Sequence, residues 1–142
     1  MKYKIADTVD AQGEYVSLWH SDYVSQNKQV GALYYDAMAF LLRNGWAMSP
    51  YQTTANSHKV IWAENKDGTP MGGVVYEYHQ NNKQGFIVII FTDDQFRGRH
   101  IYSLLQRALE NEVIRLGGTS IASMAHKDNV VRLKAGAREI GR

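Results

Sequence analysis

Two arginines flank a glycine in the segment from Asp93 to Leu105, between the most apolar run of the chain and its most regular helical pattern. The first amides of a helix lack intrahelical partners and carry the positive end of the helix dipole, so they favour a phosphate or pyrophosphate. Arg97 and Arg99 would add bidentate donors, and Gly98 would let the backbone approach the ligand closely. The sequence therefore predicts an anion site; the alternative is that both arginines are solvated residues on an ordinary turn.

The elements on either side of this segment have to position it. Phe86 to Phe91 form an uninterrupted apolar run, which is typical of a central strand covered on both faces. A single apolar stripe then recurs at helical spacing until Gly117-Gly118, and Ser120 to Met124 returns to a strand pattern. A strand, a helix and a strand in this order predict a right-handed crossover with the two strands parallel.

The rest of the chain is predicted to complete an α+β (mixed α/β) fold. Strand patterns cover Lys2 to Ala6, Val60 to Trp62 and Gly72 to Tyr78, the last two forming a hairpin. Helical spacings predict two helices, Glu14 to Ser25 and Val30 to Leu41, and a short third helix from Asp128 to Ala135, before a terminal stub of residues 136–142.

Length and composition bound the class of protein. The chain has 142 residues, of which 44% are hydrophobic, and this fits a single domain spanning residues 1–142. It contains no cysteine, which excludes disulfides, thiolate metal sites and a cysteine nucleophile and favours a cytoplasmic location. No apolar run approaches the ~20 residues of a membrane span, and the first residues lack the apolar stretch of a signal peptide. The five histidines show no paired helical spacing, so no metal site is expected.

The charge is distributed unevenly along the chain. The formal net charge of +2 divides into −3 over residues 1–94 and +5 over residues 95–142, so the C-terminal third could attract an anion. Its basic residues are scattered rather than interleaved with stacking aromatics, and this pattern argues against nucleic acid as the partner.

The order of elements and the sequence Arg97-Gly98-Arg99 together resemble the GNAT superfamily, the acyl-CoA-dependent N-acetyltransferases, over nearly the whole chain. In that family a hydrophobic fourth strand runs into an Arg-Gly-Lys/Arg-Gly-x-Gly loop and then a helix with a Leu-Leu pair, here Leu104-Leu105. Gly72-Gly73 resembles the glycine before an alternating strand, and Asn129 to Ala137 is similar to the family's Asn…Lys-x-Gly-Phe ending. The resemblance implies a central mixed, mostly antiparallel sheet flanked by helices.

Large side chains replace two glycines of the family loop, which fall here on His100 and Tyr102. If the family backbone needs a positive φ at His100, the cost is on the order of 1 kcal/mol. The place where many members carry a general-acid tyrosine falls on Arg132. These departures keep a second interpretation open, namely a non-catalytic GNAT-like binding or structural protein, for instance a phage-encoded one.

The resemblance implies an N-acetyltransferase that moves an acetyl group from acetyl-CoA directly to a primary amine on a small molecule or a protein. The loop amides would hold the coenzyme A pyrophosphate, and a backbone amide of the preceding strand would polarise the thioester carbonyl. The cofactor-binding residues that it implies are Ile90, Phe91, Thr92, Arg97, Gly98, Arg99, His100, Ile101, Tyr102, Ser103 and Asn129.

Candidate catalytic groups follow from what amine acetylation requires. Glu77 is the first candidate for the base because alternation with Tyr76 and Tyr78 could aim it into a cleft. Asp93, Asp94 and His79 are the alternative bases. Tyr102 is the first candidate for the acid that protonates the thiolate, and His126 is the second. The short C-terminus could leave a sheet edge that a second copy closes, so a homodimer is among the expected assemblies.

Overall fold

A computed structural model of the protein describes residues 2–24, 27–43, 58–123, 130–134 and 137–141. Within these ranges eight strands form one sheet, in the order in which they occur along the chain. They are β1 (Lys2–Val9), β2 (Tyr15–Ser21), β3 (Lys59–Glu64), β4 (Pro70–His79), β5 (Gln84–Thr92), β6 (Ser120–Ser123), β7 (Val130–Lys134) and β8 (Ala137–Gly141). Neighbouring strands are antiparallel except β5 and β6, which are parallel. The predicted mixed, mostly antiparallel sheet is therefore confirmed.

Two helices cover opposite faces of the sheet. The first, α1 (Lys28–Arg43), packs on β4 and β5, and α2 (Ile101–Arg115) packs on β3, β4 and β5. The α1 face buries Val30, Tyr34, Met38, Trp62, Val75, Val88 and Ile89. The α2 face buries Ile61, Met71, Val74, Leu105, Leu109 and Val113. Because each fully buried large apolar side chain contributes about 1.5–3 kcal/mol, these two layers position the strands. In the part of the chain described above, neither helix combines the length and apolar character of a membrane span.

The structure confirms the strand, helix and parallel strand around the segment from Asp93 to Leu105. The predicted strand Phe86 to Phe91 lies within β5, the apolar stripe forms α2, and the following strand pairs parallel with β5. Gly117, just beyond α2, has a φ of +91°, which suits the glycine that ends a helix. The hairpin and the α1 helix are also confirmed, as β3 with β4 and as Lys28–Arg43.

The helix predicted from Glu14 to Ser25 is wrong. Residues 15–21 form β2, which pairs with β1 on one side and β3 on the other. Leu18 and Trp19 suggested a helical stripe, but they lie on opposite faces of the sheet, and each face is packed. A strand that is buried on both faces has no clean alternation, so its apolar residues can mimic helical spacing.

The short helix predicted from Asp128 to Ala135 is also wrong where the structure describes it. Residues 130–134 form β7 between β6 and β8, and the C-terminal stub contains β8. The pair Val130-Val131 is β-branched and therefore suits a strand. The pairing of β7 with both neighbours supplies the backbone hydrogen bonds that decide the outcome.

A bulge changes the course of β5 where it leaves the centre of the sheet. Val75 pairs with Ile89 and Tyr76 with Ile87, so Val88 is an extra residue opposite β4. The pairing described between β5 and β6 ends at Ile87 with Ser123. The last residues of β5 therefore run beside β4 and onward to the start of α2.

Glycine is required on β4 where β5 passes it. A Cβ atom on Gly72 would lie 2.5 Å from the carbonyl oxygen of Phe91. On Gly73, a Cβ atom would lie 3.0 Å from the Phe91 ring. The pair singled out in the sequence thus permits the close approach of β5, and so sets the path of the strand that leads to α2.

Candidate functional site

The loop between β5 and α2 is built from tight turns. A single 3₁₀ turn covers Asp94–Phe96, and the buried Phe96 ring anchors it in the core. Gly98 follows with a φ of +83°, and His100 has a φ of +58° and a ψ of +32°. Leu104 is the first residue of the helix whose amide reaches back along it, donating to the His100 carbonyl at 3.3 Å. The amides before Leu104 are those that a helix leaves without intrahelical partners.

His100 adopts the left-handed backbone conformation. It occupies a position where the loop of the resembled family has glycine. Its φ is positive and its side chain makes no capping hydrogen bond to the helix. Arg99, between Gly98 and His100, is not among the residues with positive φ. Backbone that alternates between the two hands turns successive amides toward one concavity, which is the geometry of an anion-binding nest. The sign of φ alternates from Gly98 to His100, as it does in such a nest, although a histidine stands at the last of the three positions.

A cavity of about 870 Å³ opens beside this loop. Its volume lies in the range of cofactor sites. Its lining comes from β5 from Ile87 onward, from the loop that follows β5, from one side of α1 and from the start of α2. The lining residues include Ala37, Phe40, Arg43, Ile87, Ile90, Phe91, Thr92, Asp93, Asp94, Arg97, Gly98, His100, Ile101, Tyr102 and Ser103. Tyr102 is 54% exposed, so its ring lies at the surface of the cavity rather than filling it.

The two loop arginines have different surroundings. Arg97 lines the cavity and pairs with Asp94 at 2.7 Å, although both side chains are highly exposed. Such a surface pair is weak, so the Arg97 side chain can exchange Asp94 for another anion. Arg99 does not line the cavity. Its guanidinium lies 3.7 Å from the buried Asp10 carboxylate and 5.4 Å from the centre of the Phe96 ring.

Glu77 lies between two histidines on the α1 face of the sheet. Its Oε2 atom is 2.6 Å from His58 Nε2, and its Oε1 atom is 2.8 Å from His79 Nε2. His58 is fully buried, whereas His79 is 29% exposed and stacks on Phe86. Phe86 is the register partner of Glu77 and directly precedes Ile87, the first residue of β5 in the cavity lining. The cluster therefore lies next to the start of the cavity, but Glu77 and its two histidines are not among the residues that line it.

Sequence reasoning missed His58 and Asp10. His58 is nineteen residues from Glu77, so no local spacing links them. The pairing of Lys59 with Tyr76 in the hairpin places His58 opposite Glu77. The register of the predicted hairpin was therefore the one feature that could have linked the two residues. Asp10 sits in the turn between β1 and β2, and no local sequence pattern links it to Arg99.

The remaining residues predicted for the site either have a structural role or fall outside the described residues. Asp93, an alternative base, caps the 3₁₀ turn by accepting from the Gln95 amide. Asn129 and His126 lie outside the residues that the structure describes. Among those residues, no group of three or more histidine, aspartate or glutamate side chains is arranged to hold a metal ion.

A second polar cluster lies on the α2 face of the sheet. His20 Nε2 is 2.8 Å from the Tyr76 hydroxyl, and the Tyr3 ring stacks on His20. Tyr3 donates to Glu112, which also pairs with Arg115. Burial lowers the pKa of His20 and raises that of Tyr76. Burial alone would raise the pKa of Glu112, but the hydrogen bond and charge of Arg115 hold it below its usual value.

Comparison with known proteins gives a consistent match to one family. The pattern of the family described as "Acetyltransferase (GNAT) family" matches residues 18–134. A search of curated proteins finds no match. Three solved structures are similar in fold. A candidate acyl-CoA N-acyltransferase from Klebsiella pneumoniae subsp. pneumoniae MGH 78578 has a TM-score of 0.56 and 17% identity, over 73% of this chain and 68% of that one.

The other two structures are described as N-acetyltransferases. The candidate enzyme from Lactobacillus plantarum has a TM-score of 0.57 and 14% identity, over 76% of this chain and 73% of that one. The protein from Staphylococcus aureus Mu50 has a TM-score of 0.55 and 14% identity, over 76% of this chain and 72% of that one. At sequence identities of 14% to 17%, the similarity to these three structures is evidence about the fold alone.

Proposed function

The chain belongs to the acetyltransferase (GNAT) family, and on that premise we propose that it transfers an acetyl group from acetyl-CoA directly to a primary amine. Family membership makes it an acyl-CoA-dependent N-acyltransferase in general terms. The observation that carries the finer proposal is the alternating backbone at Gly98 to His100, which opens on a cavity floored by the last residues of β5.

The residues of the loop suit the diphosphate of coenzyme A. The amides of Gly98 and of residues 100–103 would donate to its oxygens, and the Arg97 side chain would supply charge. Ile90, Phe91 and Thr92 line the cavity where the pantetheine arm would lie beside β5. A β5 amide near Ile89, Ile90 or Phe91 would donate to the thioester carbonyl oxygen.

The Glu77 cluster supports the acid–base part of the proposal. We assign Glu77 as the base, because one of its carboxylate oxygens is held by His58 and the other meets the partly exposed His79, through which a proton can reach solvent. The neutral amine attacks the carbonyl carbon, a C–N bond forms and the C–S bond breaks. The amine proton goes to Glu77, and the Tyr102 hydroxyl gives a proton to the departing thiolate. No covalent enzyme intermediate is required.

Binding of the cosubstrate is the first test. Acetyl-CoA and coenzyme A at about a hundred times the dissociation constant should each stabilise the folded protein by about 2.7 kcal/mol, which a thermal-shift or calorimetric titration resolves. Arg97→Ala should weaken this binding. If neither compound binds, the proposed function is wrong.

Turnover is tested with a panel of primary amines and a thiol-detecting dye. Wild type should release coenzyme A only when an accepted amine is present. Glu77→Gln should lower kcat by about 10²-fold or more and leave the Kd for acetyl-CoA unchanged. Gln80→Ala, in the exposed turn after β4, is the matched control and should behave as wild type. An unchanged kcat in Glu77→Gln would remove Glu77 as the base.

The large side chains at His100 and Tyr102 favour one alternative, a GNAT-fold protein that binds coenzyme A without catalysis. Binding of acetyl-CoA without amine-dependent release of thiol, over the whole amine panel, would support that alternative.

A further inference from the structure

The turn between β1 and β2 contacts the loop from Asp93 to His100, which the proposed function assigns to the diphosphate of coenzyme A and which is called the diphosphate loop below. The contacts are made to the backbone of that loop. The Ala11 amide donates to the Arg99 carbonyl at 3.2 Å, and the Gln12 side-chain amide donates to the Gly98 carbonyl at 3.0 Å. These partners are more than eighty residues apart in sequence. The N-terminal hairpin therefore fixes two successive carbonyl groups of the loop.

Fixing these carbonyls also fixes the amides that follow them. In a planar peptide unit the C=O and N–H bonds point in opposite directions. Because the Gly98 and Arg99 carbonyls point to the turn, the amides of Arg99 and His100 point away from it. Of these two residues, His100 lines the cavity, so the contacts with the turn leave its amide available to a ligand.

Asp10 holds the turn in this position. Its side chain is fully buried, and its Oδ1 atom accepts from the amides of Gln12 and Glu14 at 2.9 and 3.0 Å. Its Oδ2 atom accepts no hydrogen bond from the described part of the chain and lies 3.7 Å from the Arg99 guanidinium. A buried carboxylate needs a counter-charge, and Arg99 supplies it.

We infer that Asp10 and Gln12 are positioning residues for the diphosphate loop, and that the Arg99 side chain acts as their anchor while the backbone amide of His100 faces the ligand. The inference rests on the proposed function, since it concerns binding of coenzyme A. It divides the work of the two loop arginines: the Arg97 side chain meets the diphosphate, and the Arg99 side chain secures the loop.

The test measures the Kd of coenzyme A by calorimetry for variants whose unfolding free energy matches wild type. Gln12→Ala should weaken binding about fivefold, the loss that one neutral hydrogen bond predicts. Gln12→Glu should weaken it more, because an anionic acceptor would then face the Gly98 carbonyl. Gln80→Ala is again the matched control. In the ligand-free protein, the amide resonances of Arg99 and His100 should shift in both Gln12 variants and stay in place in the control.

Asp10→Asn provides an independent test, because it keeps Oδ1 for the two turn amides and removes only the charge that faces Arg99. It should weaken coenzyme A binding about five- to tenfold. Its effect should be non-additive with that of Arg99→Ala and additive with that of Arg97→Ala.

The outcomes separate the two proposals. If wild type binds no coenzyme A, the proposed function fails and the inference fails with it. If wild type binds and the Gln12 and Asp10 variants bind within twofold of it, only the inference fails. Should Asp10→Asn not fold, the Gln12 pair decides, since that side chain is exposed and its loss leaves the core intact.

Discussion

At the scale of single residues, the loop before α2 contains two residues in the left-handed region, Gly98 and His100. Gly98 was expected to allow a close backbone approach, and its φ of +83° is one that glycine adopts without strain. Glu77 was chosen for its alternation in a strand. Its two histidine partners and the burial of His58 come from the β3–β4 register and from packing. The sequence pattern of a single segment contains information on neither the register nor the packing.

The strain at His100 leads to a prediction. A non-glycine residue in the left-handed region costs on the order of 1 kcal/mol, so His100→Gly should raise the free energy of unfolding by about 0.5–1 kcal/mol and keep the loop conformation. Coenzyme A affinity should be retained, because the proposed donors are backbone amides. Urea denaturation and calorimetry check both values.

A β-branched residue gives the opposite test at the same position. His100→Val should lose more than about 1 kcal/mol of stability and bind coenzyme A at least tenfold more weakly, because valine disfavours a positive φ. Equal stability of the glycine and valine variants would contradict the role given to this conformation.

At the scale of elements, prediction succeeded where a segment buries one face or is followed by a clear terminator. The stripe of α2 packs on the sheet on one side only, and Gly117 ends it, so its periodicity was read correctly. β2 and β7 were predicted as helices because short apolar spacings do not distinguish a helix from a strand between two neighbours. The β5 bulge at Val88 left no signal in an unbroken apolar run.

The close passage of β5 over β4 predicts the effect of adding one methyl group. In Gly72→Ala the new Cβ would meet Phe91 O at 2.5 Å and Thr92 Cα at 3.0 Å, two residues that line the cavity. We expect a loss of about 1–3 kcal/mol in unfolding free energy and weaker coenzyme A binding.

Gly31→Ala is the matched control for that substitution. Gly31 lies inside α1, where an added Cβ would make an ordinary 3.8 Å contact with Val24 O, so the variant should be as stable as wild type or more so. If Gly72→Ala shows the same stability as Gly31→Ala in urea denaturation, β5 does not need glycine beside it.

At the scale of the whole molecule, the sheet separates two polar clusters of different character. Glu77 and its histidines lie on the α1 face beside the cavity. Tyr76, the residue before Glu77, points to the α2 face and meets His20, with Tyr3 and Glu112 beyond. The first cluster is partly exposed and suits proton transfer, whereas His20 and Tyr76 of the second are buried and affect folding.

The buried histidine makes stability depend on pH. Burial holds the pKa of His20 below its ordinary value of about 6.5, so below that pH the unfolded chain binds a proton that the folded protein does not. The unfolding free energy should therefore fall as the pH falls from 7 to 5, by up to about 1.4 kcal/mol per pH unit from this group. The charged groups facing His20 are Glu112, Lys59, Asp22 and Arg115.

Urea denaturation at pH 7 and pH 5 measures this difference. His20→Gln, whose amide can still bond to the Tyr76 hydroxyl, should show a smaller loss than wild type between the two pH values. The contribution of Glu112, whose pKa is lowered, is lost only below its ordinary value of about 4.5 and so falls outside this range. An identical loss in both proteins would show that His20 does not cause it.

The strand order has a consequence for how such a protein can diversify. Strands β3, β4 and β5 follow one another through tight turns, where a change of length would shift a register. The stretch from β2 to β3 is long and carries α1, whose Phe40 and Arg43 line the cavity. Under the proposed function, insertions or exchanges in that stretch would alter the α1 side of the cavity and leave the loop proposed to bind coenzyme A unchanged. Acceptor choice can then evolve separately from donor choice.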